Sequence, residues 1–160
     1  MRSDVRAVAI AALAVVLGAS APPLDSDVAD ATFSKGFTTF TGEQAFALMP
    51  EAGVCHHLKF LASFHVPGHP GDTKDNKIPV GAPIHLWAQT FVYAGEGYPG
   101  YLKKAYFAMT ATFTPKLGAH YLIHQDMRFP IHRLEIVDEK TGSPPDDLTL
   151  AKGQYCGGYM

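Results

Sequence analysis

The most regular pattern of apolar and polar residues in the chain lies between Ala105 and His124. In its first half every second residue is apolar: Phe107, Met109, Ala111 and Phe113. A period of two predicts a β-strand with one face in the core. The alternation resumes at Tyr121, after a turn that contains Pro and Gly. We therefore predict a β-hairpin in which Phe113 lies opposite Tyr121 and Gly118 has a positive φ angle.

The same period of two predicts further strands along the chain. They are His57–Val66, Ile84–Tyr93 and Ile131–Asp138, with shorter candidates at Phe33–Phe40 and Leu148–Leu150. Ile84–Tyr93 has large side chains on both faces, which predicts a central strand that is covered on both sides. Turn-forming residues dominate Pro67–Lys77, so we expect a loop there.

One stretch predicts a helix. Thr41–Met49 places good helix formers after Thr41 as the N-cap, and Pro50 ends the segment. Six or seven strands separated by turns, with this one short N-terminal helix, predict a mainly β fold. The expected architecture is an antiparallel β-sandwich in a single domain, residues 33–160.

The N-terminus predicts export. Residues 1–6 contain two arginines, and residues 7–21 are small and apolar, as in a signal peptide. This apolar run is shorter than the roughly twenty residues of a membrane span, so we expect no transmembrane segment in the mature chain. Cleavage is expected after Ala21, or alternatively after Ala31, with residues 22–32 as a flexible segment. The mature protein is then secreted or periplasmic.

The charge of the chain argues against nucleic acid as a partner. Thirteen Lys and Arg residues stand against fifteen Asp and Glu residues, giving a net charge of −2. The basic residues are scattered, with Lys103–Lys104 as the only basic pair. A nucleic-acid-binding protein instead concentrates positive charge on one surface.

Two cysteines, Cys55 and Cys156, lie near the two ends of the mature domain. In an oxidising compartment two cysteines most often pair, which predicts a Cys55–Cys156 disulfide bond. The alternative is a pair of free, buried thiols. A bridge would hold the glycine-rich C-terminal tail, which would otherwise fray.

Eight histidines make metal binding worth testing by geometry. His120 and His124 share a strand face but lie about 14 Å apart, too far to hold one ion together. The local candidate site consists of His65, His69 and Asp72, which a Pro-Gly turn brings together. Two nitrogens and one oxygen would suit copper or zinc. The alternative is a solvated loop with two unrelated imidazoles.

The sequence assigns no catalytic residue. No serine lies in a G-x-S-x-G motif, and paired cysteines leave no thiol nucleophile. A loop rich in Gly and Pro carries Tyr93, Tyr98 and Tyr101, which could give the rigid aromatic contacts typical of binding loops. The alternative is that Tyr98 and Tyr101 only cover the end of the sandwich.

Three motifs, in this order, carry a resemblance: Ile78–Ile84 (IPVGAPI), Phe113–Tyr121 (F-x-P-x-x-G-x-x-Y) and Val137–Gly142 (V-x-D-x-x-T-G). The chain resembles uncharacterised bacterial envelope proteins, many of them lipoproteins or periplasmic proteins with paired cysteines. The resemblance implies an immunoglobulin-like or transthyretin-like sandwich and no particular activity. This chain lacks the cysteine that directly follows the apolar leader of a lipoprotein, which indicates a free periplasmic form.

These observations favour a non-catalytic secreted or periplasmic protein that binds, or helps to build, the cell envelope. Its expected partner is an envelope component or another secreted protein. One alternative is a periplasmic copper- or zinc-binding protein that uses histidines. Another is an inhibitor of a secreted hydrolase, in which the Tyr93–Tyr101 loop would enter the active site of the enzyme.

Overall fold

The computed structural model describes residues 27–36, 41–66, 71–94, 103–128 and 131–156. Those residues form nine β-strands and no helix, and so no helix long and apolar enough to cross a membrane. The strands are β1 (Val28–Lys35), β2 (Thr41–Met49), β3 (Lys59–Val66), β4 (Thr73–Pro79), β5 (Ile84–Ala94), β6 (Lys103–Phe113), β7 (His120–Arg128), β8 (Ile131–Asp138) and β9 (Thr149–Lys152). The mainly β fold predicted from the sequence is confirmed for this part of the chain.

The strands form two sheets in a sandwich-like arrangement. One sheet has four strands in the order β4-β1-β7-β8, and the other has five in the order β3-β2-β5-β6-β9. Neighbouring strands are antiparallel, as predicted, except that β1 and β7 run parallel. The pairings and the hydrogen bond between Gly36 and Gln44 put the last residues of β1, β3, β5 and β7 at the same end of the sandwich as the first residues of β2, β4, β6 and β8.

The inner faces of the two sheets share one hydrophobic core. The ring centroids of Phe33 in β1 and Phe46 in β2 lie 5.3 Å apart. Leu86 in the centre of the five-stranded sheet and Ile123 in the four-stranded sheet are both fully buried. Strand β5 lies between β2 and β6 and is buried on both faces from Leu86 to Phe91, which confirms the predicted central strand.

The predicted helix at Thr41–Met49 is wrong, because this segment is strand β2. Phe46 and Leu48 point into the core between the sheets, whereas Ala47 and Met49 belong to a smaller cluster on the opposite face. A helix this short is marginal in water on propensity alone. Strand pairing with β3 and β5, together with burial on both faces, outweighs the local preference for helix.

The predicted hairpin is also wrong, because β6 and β7 belong to different sheets. Strand β6 pairs with β5 and β9, and β7 pairs with β1 and β8. Residues 114–119 therefore carry the chain from one sheet to the other. Phe113 and Tyr121 still meet, with ring centroids 5.3 Å apart, but across the core rather than along a ladder. The Lys116 N–H donates a 3.0 Å hydrogen bond to the Tyr121 hydroxyl, and Gly118 has φ +71°, the sign that was predicted.

Two segments expected to be irregular are partly extended. Strand β1 begins at Val28, so residues 28–32 of the predicted flexible segment lie in a strand between β4 and β7. The predicted Pro67–Lys77 loop likewise contains the first residues of β4. Strand β4 lies at a sheet edge and exposes charged side chains such as Lys74 and Asp75, which gives it the composition of a loop. Of the predicted Phe33–Phe40 strand, residues 37–40 lie outside the described ranges.

A disulfide bond joins Cys55 to Cys156, with an S–S distance of 2.03 Å and Cα atoms 5.3 Å apart. It covers the outer face of the five-stranded sheet, where Cys156 packs with Trp87, Ala47 and Met49. The indole Nε1–H of Trp87 donates a 3.1 Å hydrogen bond to the carbonyl of Gln154. The C-terminal tail, residues 153–156, is thus fixed across the sheet by the bridge, the apolar contacts and this hydrogen bond.

Replacing Gly118 by Val is expected to lower the free energy of unfolding by about 1–2 kcal/mol, because a β-branched residue is strained at φ +71°. Gly118→Asn is the matched control, since Asn tolerates the left-handed region better. No described atom lies within 4 Å of an added Cβ, so the difference between the variants reports backbone strain and not a clash. Urea unfolding measures both variants. Equal stability of the two would contradict the strained turn.

Removing the disulfide in a Cys55→Ser/Cys156→Ser variant is expected to cost about 4–5 kcal/mol in the chain-entropy model, because the bridge closes a loop of about 100 residues. Trp87, the single tryptophan of the sequence, lies beside the bridge and reports unfolding by its fluorescence. Reductant should shift the urea midpoint of the wild type and leave that of the double variant unchanged. An unshifted wild-type midpoint under complete reduction would refute a stabilising bridge.

Candidate functional site

The sandwich opens on the side where β6 faces β8. Strand β9 pairs with β6 only from Met109 to Thr112, and β8 is an edge strand with β7 as its one partner in the sheet. The part of β6 that precedes Met109 has no neighbouring strand on the β9 side among the described residues. A cavity of about 590 Å³ lies at this opening. Its size is that of a pocket for a small molecule.

The pocket is built from two strands and the tail. Its identified lining residues are Phe107, Ala108, Met109, His132, Lys152, Gly153 and Tyr155. The rings of Phe107 on β6 and His132 on β8 stack across the opening, with centroids 3.8 Å apart and planes at 24°. The Gly153 N–H donates a 2.8 Å hydrogen bond to the Ala108 carbonyl, which holds the tail against β6 as one wall.

The polar groups of this pocket are few. Burial lowers the pKa of His132, so its ring is neutral at pH 7 and can donate one hydrogen bond and accept another. Lys152 is exposed at the rim and provides a positive charge. The identified lining residues include no Asp or Glu. The site can therefore hold a mainly apolar molecule and contact a polar group at its edge.

A second polar group lies on the outer face of the four-stranded sheet. The Thr32 hydroxyl lies 2.8 Å from His120 Nε2, and His120 Nδ1 lies 3.0 Å from a carboxylate oxygen of Glu139. Hydroxyl, imidazole and carboxylate follow the order of a hydrolase triad. The Thr32 hydroxyl, however, donates its one proton to Asp75 at 2.6 Å. We therefore assign this chain of contacts to cross-strand stabilisation.

Two other histidines also pair with hydroxyl groups on the sheet surfaces. His124 Nδ1 lies 2.9 Å from the Ser34 hydroxyl, and His85 Nδ1 lies 2.9 Å from that of Thr112. Each contact joins neighbouring strands, β1 to β7 and β5 to β6 respectively. Three of the eight histidines, His85, His120 and His124, thus make cross-strand contacts with hydroxyl groups, which residue spacing along the chain did not reveal.

The predicted metal site lies only partly within the structure. His65 is exposed, with Nδ1 3.9 Å from a Glu43 carboxylate oxygen, and Asp72 is exposed as well. The Asp72 carbonyl accepts a 2.9 Å hydrogen bond from the Lys35 backbone N–H. His69 lies outside the described ranges. Within those ranges, no three His, Cys, Asp or Glu side chains converge as metal ligands.

The predicted aromatic binding residues are also only partly described. Tyr93 lies in β5, with Thr41 and Lys104 as its register partners, and Tyr98 and Tyr101 lie outside the described ranges. The last residues of β3 and β5 and the first residues of β4 and β6 lie at the same end of the sandwich.

The core becomes polar toward that same end. Its buried polar layer consists of Lys35, Gln44, Thr90 and Gln125. Gln44 Oε1 accepts a 3.1 Å hydrogen bond from the Gly36 N–H, and Gln44 Nε2 donates to the Gln125 carbonyl at 3.3 Å. Gln125 Nε2 in turn reaches the Ala88 carbonyl at 3.5 Å. The two glutamines thus link the backbones of the two sheets.

Lys35 is the unusual member of this layer. Its side chain is 3% exposed, and Nζ has no hydrogen-bond partner in the part of the chain that the structure describes. A buried ammonium without a partner is unfavourable because its lost hydration is not replaced. We therefore expect Lys35 to reduce the stability of the fold.

The main lining residues of the pocket were not predicted as site residues. His132 did carry a signal, because it falls on the same alternating face of Ile131–Asp138 as the core residues Leu134 and Ile136. A histidine at an inward position indicates either a polar contact in the core or a site at its edge. Lys152 and Tyr155 gave no comparable signal, since the path of the tail depends on the tertiary fold.

Replacing Lys35 by Met is expected to raise the free energy of unfolding by about 1 kcal/mol or more, because Met fills a similar space without a charge. Lys59→Met, at an exposed position on β3, is the control and should change stability by no more than about 0.5 kcal/mol. Urea unfolding of both variants measures the difference. A destabilised Lys35→Met protein would show that the ammonium makes a favourable interaction.

Comparisons of the chain with protein-family models, curated proteins and solved structures give no match. The function is therefore inferred from the sequence and from the geometry of the sites.

Proposed function

We propose that this protein is an exported, non-catalytic binding protein that holds a small, mainly apolar ligand between β6 and β8. The observation that carries the proposal is the cavity of about 590 Å³ at the open side of the sandwich. Apolar walls with a few polar groups at the edge are typical of ligand pockets. Phe107 and Met109 provide apolar side chains for contact with such a ligand, and His132, which stacks on Phe107, provides a polar edge.

Export is supported from two sides. The N-terminal residues have the composition of a signal peptide, and a disulfide bond is typical of a secreted or periplasmic compartment. Of the two expected cleavage positions, the one after Ala21 leaves β1 intact. Cleavage after Ala31 would remove Ala29 and Ala31, which are both buried in the core. We therefore favour processing after Ala21.

A binding role without catalysis fits the contacts of the nucleophilic groups. Both cysteines are in the disulfide bond, and the Thr32 hydroxyl beside His120 donates to Asp75. The Ser34 hydroxyl lies within hydrogen-bond distance of both His124 and the Ile123 carbonyl. Each of these groups has a structural contact that accounts for its position.

The relation to immunoglobulin-like or transthyretin-like envelope proteins is part of the same proposal. Two sheets with a shared core and a tryptophan packed beside a disulfide support it. Two features depart from the immunoglobulin pattern. The bridge lies on the outer face of one sheet rather than between the sheets, and β1 pairs with β7 in parallel.

Binding can be measured with N-phenyl-1-naphthylamine, a neutral probe whose fluorescence rises in apolar surroundings. Saturable binding to the mature protein is expected. Phe107→Ala should weaken it about tenfold, since removing a buried aromatic contact costs on the order of 1.4 kcal/mol. The control is Phe60→Ala, which removes an exposed phenylalanine of β3 outside the pocket lining and should leave binding unchanged.

Circular dichroism and urea unfolding would establish that both phenylalanine variants are folded. The proposed function fails if the probe does not saturate, or if Phe107→Ala and Phe60→Ala bind it equally well.

A further inference from the structure

The strand register places Lys152 on the pocket side of the five-stranded sheet. Lys152 of β9 is the register partner of Met109 of β6. Directly paired residues of antiparallel strands extend their side chains from the same face of the sheet. Met109 packs against the core between the sheets, so the Lys152 side chain leaves β9 on this inner face. Lys152 is exposed, so its ammonium group lies at the rim of the pocket.

The backbone around Lys152 is fixed without a ligand. The next residue, Gly153, donates its N–H to the Ala108 carbonyl at 2.8 Å, and Cys156, three residues further on, is held by the disulfide bond with Cys55. An added Cβ at Gly153 would come within 2.9 Å of the Ala108 backbone, so the two chains are in close contact. A cation on a preorganised backbone loses less entropy when it binds a ligand.

The polar groups of the lining favour a ligand that carries negative charge. Lys152 can only donate hydrogen bonds, and the neutral His132 ring offers one N–H group. The identified lining residues provide no carboxylate that would attract a cationic ligand or repel an anion. The charge of the lining is therefore complementary to an anion at the rim.

The apolar part of the lining favours an aromatic ligand. Phe107 and Tyr155 provide aromatic rings, and Met109 provides a polarisable thioether. Aromatic and sulfur-containing side chains make favourable contacts with aromatic rings beyond those of simple apolar burial. The cavity of about 590 Å³ has room for a ring system of more than one ring.

We propose that the pocket selects an aromatic anion, a ring system with one carboxylate or sulfonate group, whose charge lies at Lys152 and whose rings lie against Phe107 and Met109. This inference rests on the proposed ligand-binding function. It identifies the chemical class of the ligand and the residue that recognises its charge.

A matched pair of probes tests this selection on the mature, oxidised protein. 8-Anilinonaphthalene-1-sulfonate has the ring system of N-phenyl-1-naphthylamine and an added sulfonate. We expect the anionic probe to bind about two- to fivefold more tightly at low salt, the size of one favourable charge interaction at an exposed site. The preference should shrink as ionic strength rises.

Variants at Lys152 identify the residue that recognises the charge. Lys152→Met should remove the preference for the anionic probe, measured as the ratio of the two dissociation constants, whereas Lys152→Arg should keep it. Lys140→Met, at an exposed position in the β8–β9 connection, is the control and should behave as the wild type.

The outcomes separate this inference from the proposed function. If the neutral probe binds in a Phe107-dependent way but the anionic probe binds no more tightly, the charge selection is wrong and the binding function stands. If Lys152→Met weakens both probes equally, Lys152 only shapes the wall and the inference is also wrong. If neither probe binds in a Phe107-dependent way, both proposals are overturned.

Discussion

The burial of two apolar sheet faces against each other is the interaction on which the rest of this molecule depends. The contact of Phe33 with Phe46 joins the sheets near their centres, and that of Phe113 with Tyr121 joins them near one end. Each buried side chain of this kind contributes about 1.5–3 kcal/mol, which no single sheet could gain in isolation. The packing also explains why Thr41–Met49 is a strand, since only an extended segment fits between two neighbouring strands and buries both of its faces.

Alternation along the sequence predicted which way residues face but not which strands are neighbours. It correctly placed Phe113 and Tyr121 toward the core, and it identified Ile84–Tyr93 as central. It failed on the partner of β6, because a period of two is the same for a hairpin and for two strands in opposite sheets. The choice between the two depends on long-range packing: β5 and β9 occupy the edges of β6, and β1 and β8 occupy those of β7.

In the pocket, too, the direction of a side chain could be predicted from the sequence, but its neighbours in space could not. The inward position of His132 follows from the alternation of Ile131–Asp138, so this residue could be identified from the sequence. Its stacking on Phe107 could not, because it requires β6 and β8 to face each other across the sheets. The contribution of Lys152 requires in addition that β9 pair with only part of β6 and that the tail cross the sheet to Cys156. A site at an incomplete edge is thus defined by tertiary structure.

The parallel pairing of β1 with β7 has a consequence for how the chain folds. Strand β1 lies inside its sheet, yet the partners Asp30 and His120 are about ninety residues apart in the sequence. During synthesis the N-terminus emerges first. Most of the chain must therefore be made before β1 can pair with β7, its second neighbour in the sheet. Such high contact order is typical of folding in milliseconds to seconds rather than microseconds. Until β7 arrives, one edge of β1 offers unpaired backbone groups to other chains, so this is the interval in which association with other molecules competes with folding.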